Sequence, residues 1–106
     1  MLRAIHGSPP LTWTKELEAH AQDWANNLAT RDAVEHDTEG LGKYQEGENI
    51  AWFTGKLAKC TTEVKDDCFT CKEAVQSWYD EVANYDFQKG DANQPGKSFL
   101  HFTQVC

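Results

Sequence analysis

The chain has 106 residues, with 17 acidic against 10 basic side chains and a formal net charge of −7 when histidine is neutral. That length fits one domain, residues 1–106, with a real but small core; a hydrophobic content of 40% with four Trp and five Phe excludes disorder of the whole chain. The acidic balance repels phosphate backbones and anionic headgroups, so nucleic acid and heparin-like polyanions are poor partners and a cation is a better one.

Gly7 to Pro10 carries one glycine and two prolines and reads as a turn. A helix is expected from Thr14 to Arg31, because Leu17, Ala21, Trp24, Ala25 and Leu28 repeat on one face. Thr14 can cap its start and Glu16 suits the positive end of the helix dipole. Residues 36–45 lack periodicity, contain Gly40 and Gly42, and read as loop. Glu48 to Phe53 is short and apolar, and pattern alone leaves strand or short helix open. Gly55 to Asp67 reads as a polar loop.

The clearest helix is expected from Cys71 to Tyr85. Thr70 and Glu73 have the capping-box spacing, and Val75, Trp78, Tyr79, Val82 and Tyr85 form an apolar face. Glu81 falls at the border of that face, where a carboxylate can reach over the packed edge into a cleft. Gln88 to Lys97 reads as loop. Ser98 to Cys106 is rich in aromatic and β-branched side chains and is expected as a strand, with Phe99, His101 and Thr103 on one side. No stretch is long and apolar enough to cross a bilayer. No secretory leader is visible at Met1, which carries no weight because the chain reads as starting inside a domain.

The four cysteines, 60, 68, 71 and 106, suggest disulfides in an oxidising compartment. The expected bond joins Cys60 to Cys68 or to Cys71, with Cys106 left free. Cys68 and Cys71 form a C-x-x-C without the preceding strand of a redox site, and there is no second C-x-x-C to complete a zinc site. H-E-x-x-H, G-x-S-x-G and phosphate-cradling loops are absent. Of the four histidines, His6 and His20 read as structural. His36 and His101, with Glu48 and Glu81, would form a cluster able to hold zinc or a water molecule if folding brings them together.

Five ordered motifs then carry a family resemblance. They are R-A-I-H-G-S-P-P-L-T-W from Arg3 to Trp13, A-Q-D-W-A from Ala21 to Ala25, G-E-N-I-A-W from Gly47 to Trp52, W-Y-D-E from Trp78 to Glu81, and H-F-T-Q-V from His101 to Val105. Together they resemble the CAP superfamily of cysteine-rich secretory proteins, antigen 5 and pathogenesis-related protein 1. The Golgi-associated pathogenesis-related and invertebrate venom-allergen-like subgroups are the nearest in pattern. The resemblance implies an α+β fold, an α-β-α sandwich with helices on an antiparallel sheet. It also implies that His36, Glu48, Glu81 and His101 line a central cleft that takes a divalent cation, zinc among them. Asn49 and Tyr79 fall at supporting positions.

Two departures stand out: Leu100 replaces the glycine before the second family histidine, and Cys106 replaces a small apolar residue. Relatives continue past this point with at least two further strands. The expectation is therefore a partial domain whose sheet is incomplete at the C-terminus and whose apolar face is exposed. The function expected is a secreted binding or effector module in defence, venom or host interaction. A Golgi or membrane-associated location is the alternative. Its partners would be a protein, a sterol or lipid ligand and a divalent cation, with a homodimer among the expected assemblies. The alternative activity is a metal-assisted hydrolase with Glu48 or Glu81 as general base, although no serine or cysteine nucleophile is placed with a base.

Overall fold

The structure is a computed structural model that describes residues 1–52 and 70–106. In chain order these hold α1 (Leu2–Ile5), α2 (Lys15–Arg31), α3 (Thr38–Tyr44), α4 (Cys71–Tyr79), a 3-10 helix (Asp80–Asn84), β1 (Tyr85–Asp86), β2 (Asp91–Ala92) and α5 (Leu100–Val105). The architecture of the described residues is α+β, helix-rich with one small antiparallel sheet. Gly7, at φ 73°, turns the chain out of α1, in the left-handed region that glycine enters without steric penalty.

Helix α2 follows its local signals. The Thr14 hydroxyl accepts from the Leu17 N–H at 3.2 Å, Glu16 and Glu18 occupy the first turn, and Asp32 ends the helix in the left-handed conformation at φ 49°. Of the expected apolar face, Trp24 and Leu28 are half-buried beside His20, Leu17 is exposed, and the helix contains no buried residue.

Residues 38–44 are a helix where loop was expected. Asp37 accepts from the Gly40 N–H at 2.9 Å and Glu39 adds negative charge to the first turn, while Gln45, at φ 54°, closes the far end. A cap at each end outweighs the helix cost of two glycines in so short a segment. Residues 48–52 take neither regular form. The expected loop at 55–67, Phe53, Cys60 and Cys68 lie outside the described residues, and so does a Cys60–Cys68 bond. Among the described residues Cys71 carries a free thiol on the surface and Cys106 a free, half-buried one.

The Thr70 capping box is present in full. Its hydroxyl accepts from the Glu73 N–H at 3.2 Å, and the Glu73 carboxylate accepts from the Thr70 N–H at 2.9 Å. The helix it opens runs regularly only to Tyr79 and then tightens to 3-10 geometry, which delivers Tyr85 to a strand rather than to a last helical turn. Tyr85 pairs with Ala92 and Asp86 with Asp91; β2 lies inside the segment 88–97 expected as loop, and Tyr85 stood at the end of the expected helix. Asp86 accepts from the Gln88 and Lys89 N–H groups at 2.9 and 3.1 Å, which folds the turn. Asn93 donates to the Ala83 carbonyl at 2.7 Å and Asn84 to the Ser98 carbonyl at 2.8 Å.

The largest correction concerns the C-terminus. Residues 100–105 are helix α5, not a strand. A strand must find ladder partners for its N–H and C=O groups. The described sheet consists of β1 and β2 alone, whereas α5 closes its bonds internally, Thr103 N–H to Phe99 O at 3.1 Å and Cys106 N–H to Phe102 O at 3.0 Å. Helical spacing also brings Phe99 and Phe102 together, and both rings meet Tyr85, at 5.3 and 5.6 Å between centroids.

The core of the described residues lies here. Ala74 of α4 and Phe102 of α5 are its two buried hydrophobic residues, Phe102 being 3% exposed. Around Phe102 stand His6 at 5.2 Å, Tyr79 at 5.9 Å and Phe87 at 6.0 Å, all edge-on, the arrangement that the aromatic quadrupole favours. The terminus is pinned as Ser8 donates to the Cys106 carbonyl at 2.5 Å and Arg3 to the Val105 carbonyl at 2.8 Å.

Candidate functional site

His36 lies just before α3 and Glu48 just after it, so that short helix folds the two together. His36 Nδ1 meets Glu48 Oε1 at 2.6 Å, and the same oxygen accepts from the Asp37 N–H at 3.2 Å. The second pair joins the 3-10 helix to α5. His101 Nδ1 meets Glu81 Oε2 at 2.7 Å, the His101 N–H donates to Glu81 Oε1 at 3.2 Å, and the Ser98 hydroxyl donates to that oxygen at 3.3 Å. Both carboxylates are well covered, each with a side chain 17% exposed.

Glu81 thus reaches over the edge of its helix, and it does so toward His101. Leu100 is 69% exposed, so its bulk is directed to solvent and leaves His101 in contact with Glu81. The structure brings the four expected residues into two pairs. Among the described residues, no three His, Cys, Asp or Glu side chains are grouped so that they could hold one metal ion.

The pairing has a chemical consequence. An ionised carboxylate is an acceptor only, so each Nδ1 bonded to one carries the proton and each neutral ring keeps its Nε2 lone pair. Within the described residues Nε2 of His36 and of His101 takes no protein partner. The two pairs are also adjacent. Asn49, next to Glu48, donates to the His101 carbonyl at 3.1 Å. The Trp78 ring stacks on the His101 ring at 6.5 Å, and its indole N–H donates to the Ile50 carbonyl at 3.2 Å.

Two further histidines are engaged. His6 Nε2 meets the Tyr79 hydroxyl at 3.0 Å inside the aromatic cluster, which makes both residues part of the packing. His20 forms a third histidine–glutamate pair that sequence reasoning missed, Nδ1 to Glu46 Oε1 at 2.6 Å, with its ring stacked on Tyr44 at 4.3 Å. Glu46 and Glu48, on either side of Gly47, thus meet different histidines, His20 of α2 and His36 just before α3.

Beside the pairs lies an apolar groove of about 830 Å³, lined by Leu2, Leu11, Val75, Trp78 and Val105 and edged by Asn49. Gly47 belongs to its wall, and a Cβ there would overlap the Gln104 carboxamide. That close approach joins the G-E-N segment to the H-F-T-Q segment.

A family model described as the cysteine-rich secretory protein family, or CAP, matches residues 1–106. The chain belongs to the CAP family. It is similar to Golgi-associated plant pathogenesis-related protein 1 of Homo sapiens, 35% identical over 97% of this chain and 56% of the relative. It is also similar to pathogenesis-related protein 1C of Nicotiana tabacum, 34% identical over 97% of this chain and 51% of the relative. To venom allergen 5.01 of Dolichovespula maculata it is 32% identical over 90% of this chain and 37% of the relative. The chain thus spans about half the length of the first of these CAP relatives. No solved structure matches it. Among the described residues of this CAP chain, no helix is long and apolar enough to cross a membrane.

Proposed function

We propose that this chain is the binding portion of a secreted CAP protein with a role in defence, venom or host interaction, and that His36 and His101 hold a divalent cation such as zinc. Relatives named for pathogenesis and for venom support the role. In this reading the β1–β2 hairpin and its flanking helices belong to the family's α-β-α sandwich.

The observation that carries the cation reading is the bond from each Nδ1 to a glutamate, 2.6 Å at His36 and 2.7 Å at His101. A carboxylate behind an imidazole fixes the tautomer, orients the ring and raises the basicity of Nε2. Imidazole nitrogen is a good donor for zinc. In this reading two imidazoles hold the cation, with Glu48 and Glu81 behind them and the remaining positions open to water or a ligand. The groove beside the pairs, of a size usual for small-molecule sites, suits a sterol or lipid.

Calorimetric titration with zinc tests this. Wild type is expected to bind, His101→Ala and His36→Ala to bind at least tenfold more weakly, and all binding to fall with pH because protons compete for the imidazoles. Equal binding by wild type and His101→Ala removes the cation reading. Loss of sterol exchange in Val75→Glu, with zinc binding unchanged, supports the groove as the lipid site. The hydrolase reading draws less from this geometry. Glu48 and Glu81 already accept hydrogen bonds from an imidazole and a backbone N–H, which makes them orienting groups rather than free bases. Zinc-dependent peptide or ester turnover that disappears in Glu81→Gln would restore it.

A further inference from the structure

The two walls of the apolar groove are built differently. Val75 and Trp78 of α4 and Val105 of α5 line one side, and those helices carry the buried residues Ala74 and Phe102. Leu2, Ser8 and Leu11 line the other, all from one run of chain at the start of the sequence. None of residues 1–10 is buried, and Ile5 is 68% exposed. That run is nevertheless folded on itself. The Ser8 N–H donates to the Arg3 carbonyl at 3.0 Å, the Gly7 N–H to the Ala4 carbonyl at 3.1 Å, and Arg3 Nε to the Pro9 carbonyl at 2.7 Å. Residues 11–13 beyond it take no regular form, and Leu11 and Trp13 are 73% and 79% exposed.

The ties from this run to the other described residues are mostly polar. Arg3 Nη1 donates to the Val105 carbonyl at 2.8 Å, the Ser8 hydroxyl to the Cys106 carbonyl at 2.5 Å, and His6 Nε2 meets the Tyr79 hydroxyl at 3.0 Å. The His6 ring adds contacts to Phe87 and Phe102 at 5.6 and 5.2 Å between centroids. A segment held by a few bonds and no buried side chain opens at a lower free energy than the whole domain. Its own bonds keep it together when it does. The unpacked residues 11–13 can absorb the change in φ and ψ that a hinge requires.

We infer that residues 1–10 are a lid on the apolar groove, hinged at residues 11–13 and latched by Ser8 to the Cys106 carbonyl and by His6 to the Tyr79 hydroxyl. The structure holds the lid closed, where it supplies one side of the groove. Opening widens the entrance and uncovers the C-terminal end of α5. What enters is the sterol or lipid of the proposed function, and only that part rests on the groove reading. Tyr79 lies outside the groove wall, so its latch favours the closed lid whether the groove is empty or filled. Loss of that latch therefore speeds entry and exit together and leaves the affinity unchanged. A hydrogen bond of ordinary net strength is a factor of about five in such an equilibrium.

Two latch variants, Ser8→Ala and Tyr79→Phe, and their combination test the lid. Without any ligand, alkylation of Cys106 by iodoacetamide reports how often the lid leaves the terminus. It is resolved by peptide mass spectrometry, with the exposed thiol of Cys71 as reference. Each single variant is expected to react about fivefold faster than wild type and the combination about 25-fold faster, with Cys71 unchanged. Cys106 labelling in Tyr79→Phe within about twofold of wild type overturns the lid, because the Ser8 bond then holds the last residue alone. With dehydroergosterol as the probe, displacement by excess unlabelled sterol gives the exit rate and titration gives the affinity. Exit about fivefold faster in Tyr79→Phe is expected, at an affinity within about twofold of wild type. A dissociation constant that rises in step with the exit rate overturns the lid, since Tyr79 then supports only the filled groove. Wild type that takes up no dehydroergosterol removes the groove reading, and the alkylation rates still decide the lid.

Discussion

Helix α2 and the cluster around Phe102 use the same kinds of residue with opposite outcomes. Helix α2 has 17 residues, a complete N-cap and a tryptophan and two leucines at helical spacing, yet it contains no buried residue. Helices α4 and α5 have 9 and 6 residues, too short to persist alone in water, and they hold both buried hydrophobic residues, Ala74 and Phe102. Local signals write α2, and tertiary packing writes α5. A helix of the first kind should form early and open easily, and one of the second kind should exist only while its neighbours do.

The strongest way to break this comparison is Phe102→Ala. The ring is 3% exposed and touches His6, Tyr79, Tyr85 and Phe87. Its loss should cost about 3–5 kcal/mol in urea unfolding, most of the stability of a small domain. It should also melt α5, while Leu17→Ala in α2 should change stability by less than about 0.5 kcal/mol. A cost below about 1 kcal/mol for Phe102→Ala would mean that the core lies elsewhere.

Next in size is the cap of α4. Thr70→Ala removes one half of the box with Glu73 and should cost about 1 kcal/mol, with the same loss appearing in α5, which packs on α4. The equivalent change in α2, Thr14→Ala, should lower the helicity of α2 while leaving the unfolding midpoint of the cluster in place. Coincident losses in both helices from either change would show one cooperative unit.

The third prediction concerns how α2 is attached. Among the described residues its ties include the His20–Glu46 bond, the stack of His20 on Tyr44, the Trp24 indole to the Glu35 carbonyl at 2.9 Å, the Arg31–Glu35 ion pair and the Trp13 indole to Glu18 at 2.8 Å. His20→Phe keeps the stack and removes the bond. The expected cost is about 1 kcal/mol, seen as amide exchange roughly fivefold faster along α2 and unchanged in α4. Unchanged exchange in α2 would assign its attachment to Trp24, Arg31 and Glu18 instead.

What could be read from the residues follows the same division. The bounds of α2 and the capping box at Thr70 were legible, because caps are written in adjacent residues. The form of residues 98–106 was not. Phe99, Phe102 and Thr103 carry strand propensity, and that propensity reports packing against neighbours rather than an intrinsic backbone preference. The neighbours here are the rings of Tyr79, Tyr85 and His6, which reward i, i+3 spacing over alternation. The motifs singled out His36, Glu48, Glu81 and His101 but not their meeting as two pairs, since which carboxylate meets which imidazole depends on α3, a helix hidden behind two glycines. His20 and Glu46 were missed for a related reason: their bond spans 26 residues and belongs to no local pattern.

The smallest expected effect lies at the seam between the two ends of the chain. Cys106 is half-buried, with its carbonyl held by Ser8 and the Arg3 guanidinium close by. Burial pushes its thiol above the ordinary value by disfavouring the thiolate, and the charge of Arg3 pulls the other way without cancelling the rise. A group whose folded value is raised contributes stability that is complete below the unfolded value, about 8.5 for a thiol. That contribution is lost as pH climbs through the folded one, because the unfolded chain ionises first. The chain should therefore lose stability on going from neutral to mildly alkaline solution, and Cys106→Ser, which has no thiol to ionise, should lose less. The measurement is the difference in urea midpoint between the two pH values for each protein. An identical alkaline loss in both would show that the last residue is as wet folded as unfolded, and that the bonds from Ser8 and Arg3 do not hold the terminus against the body of the domain.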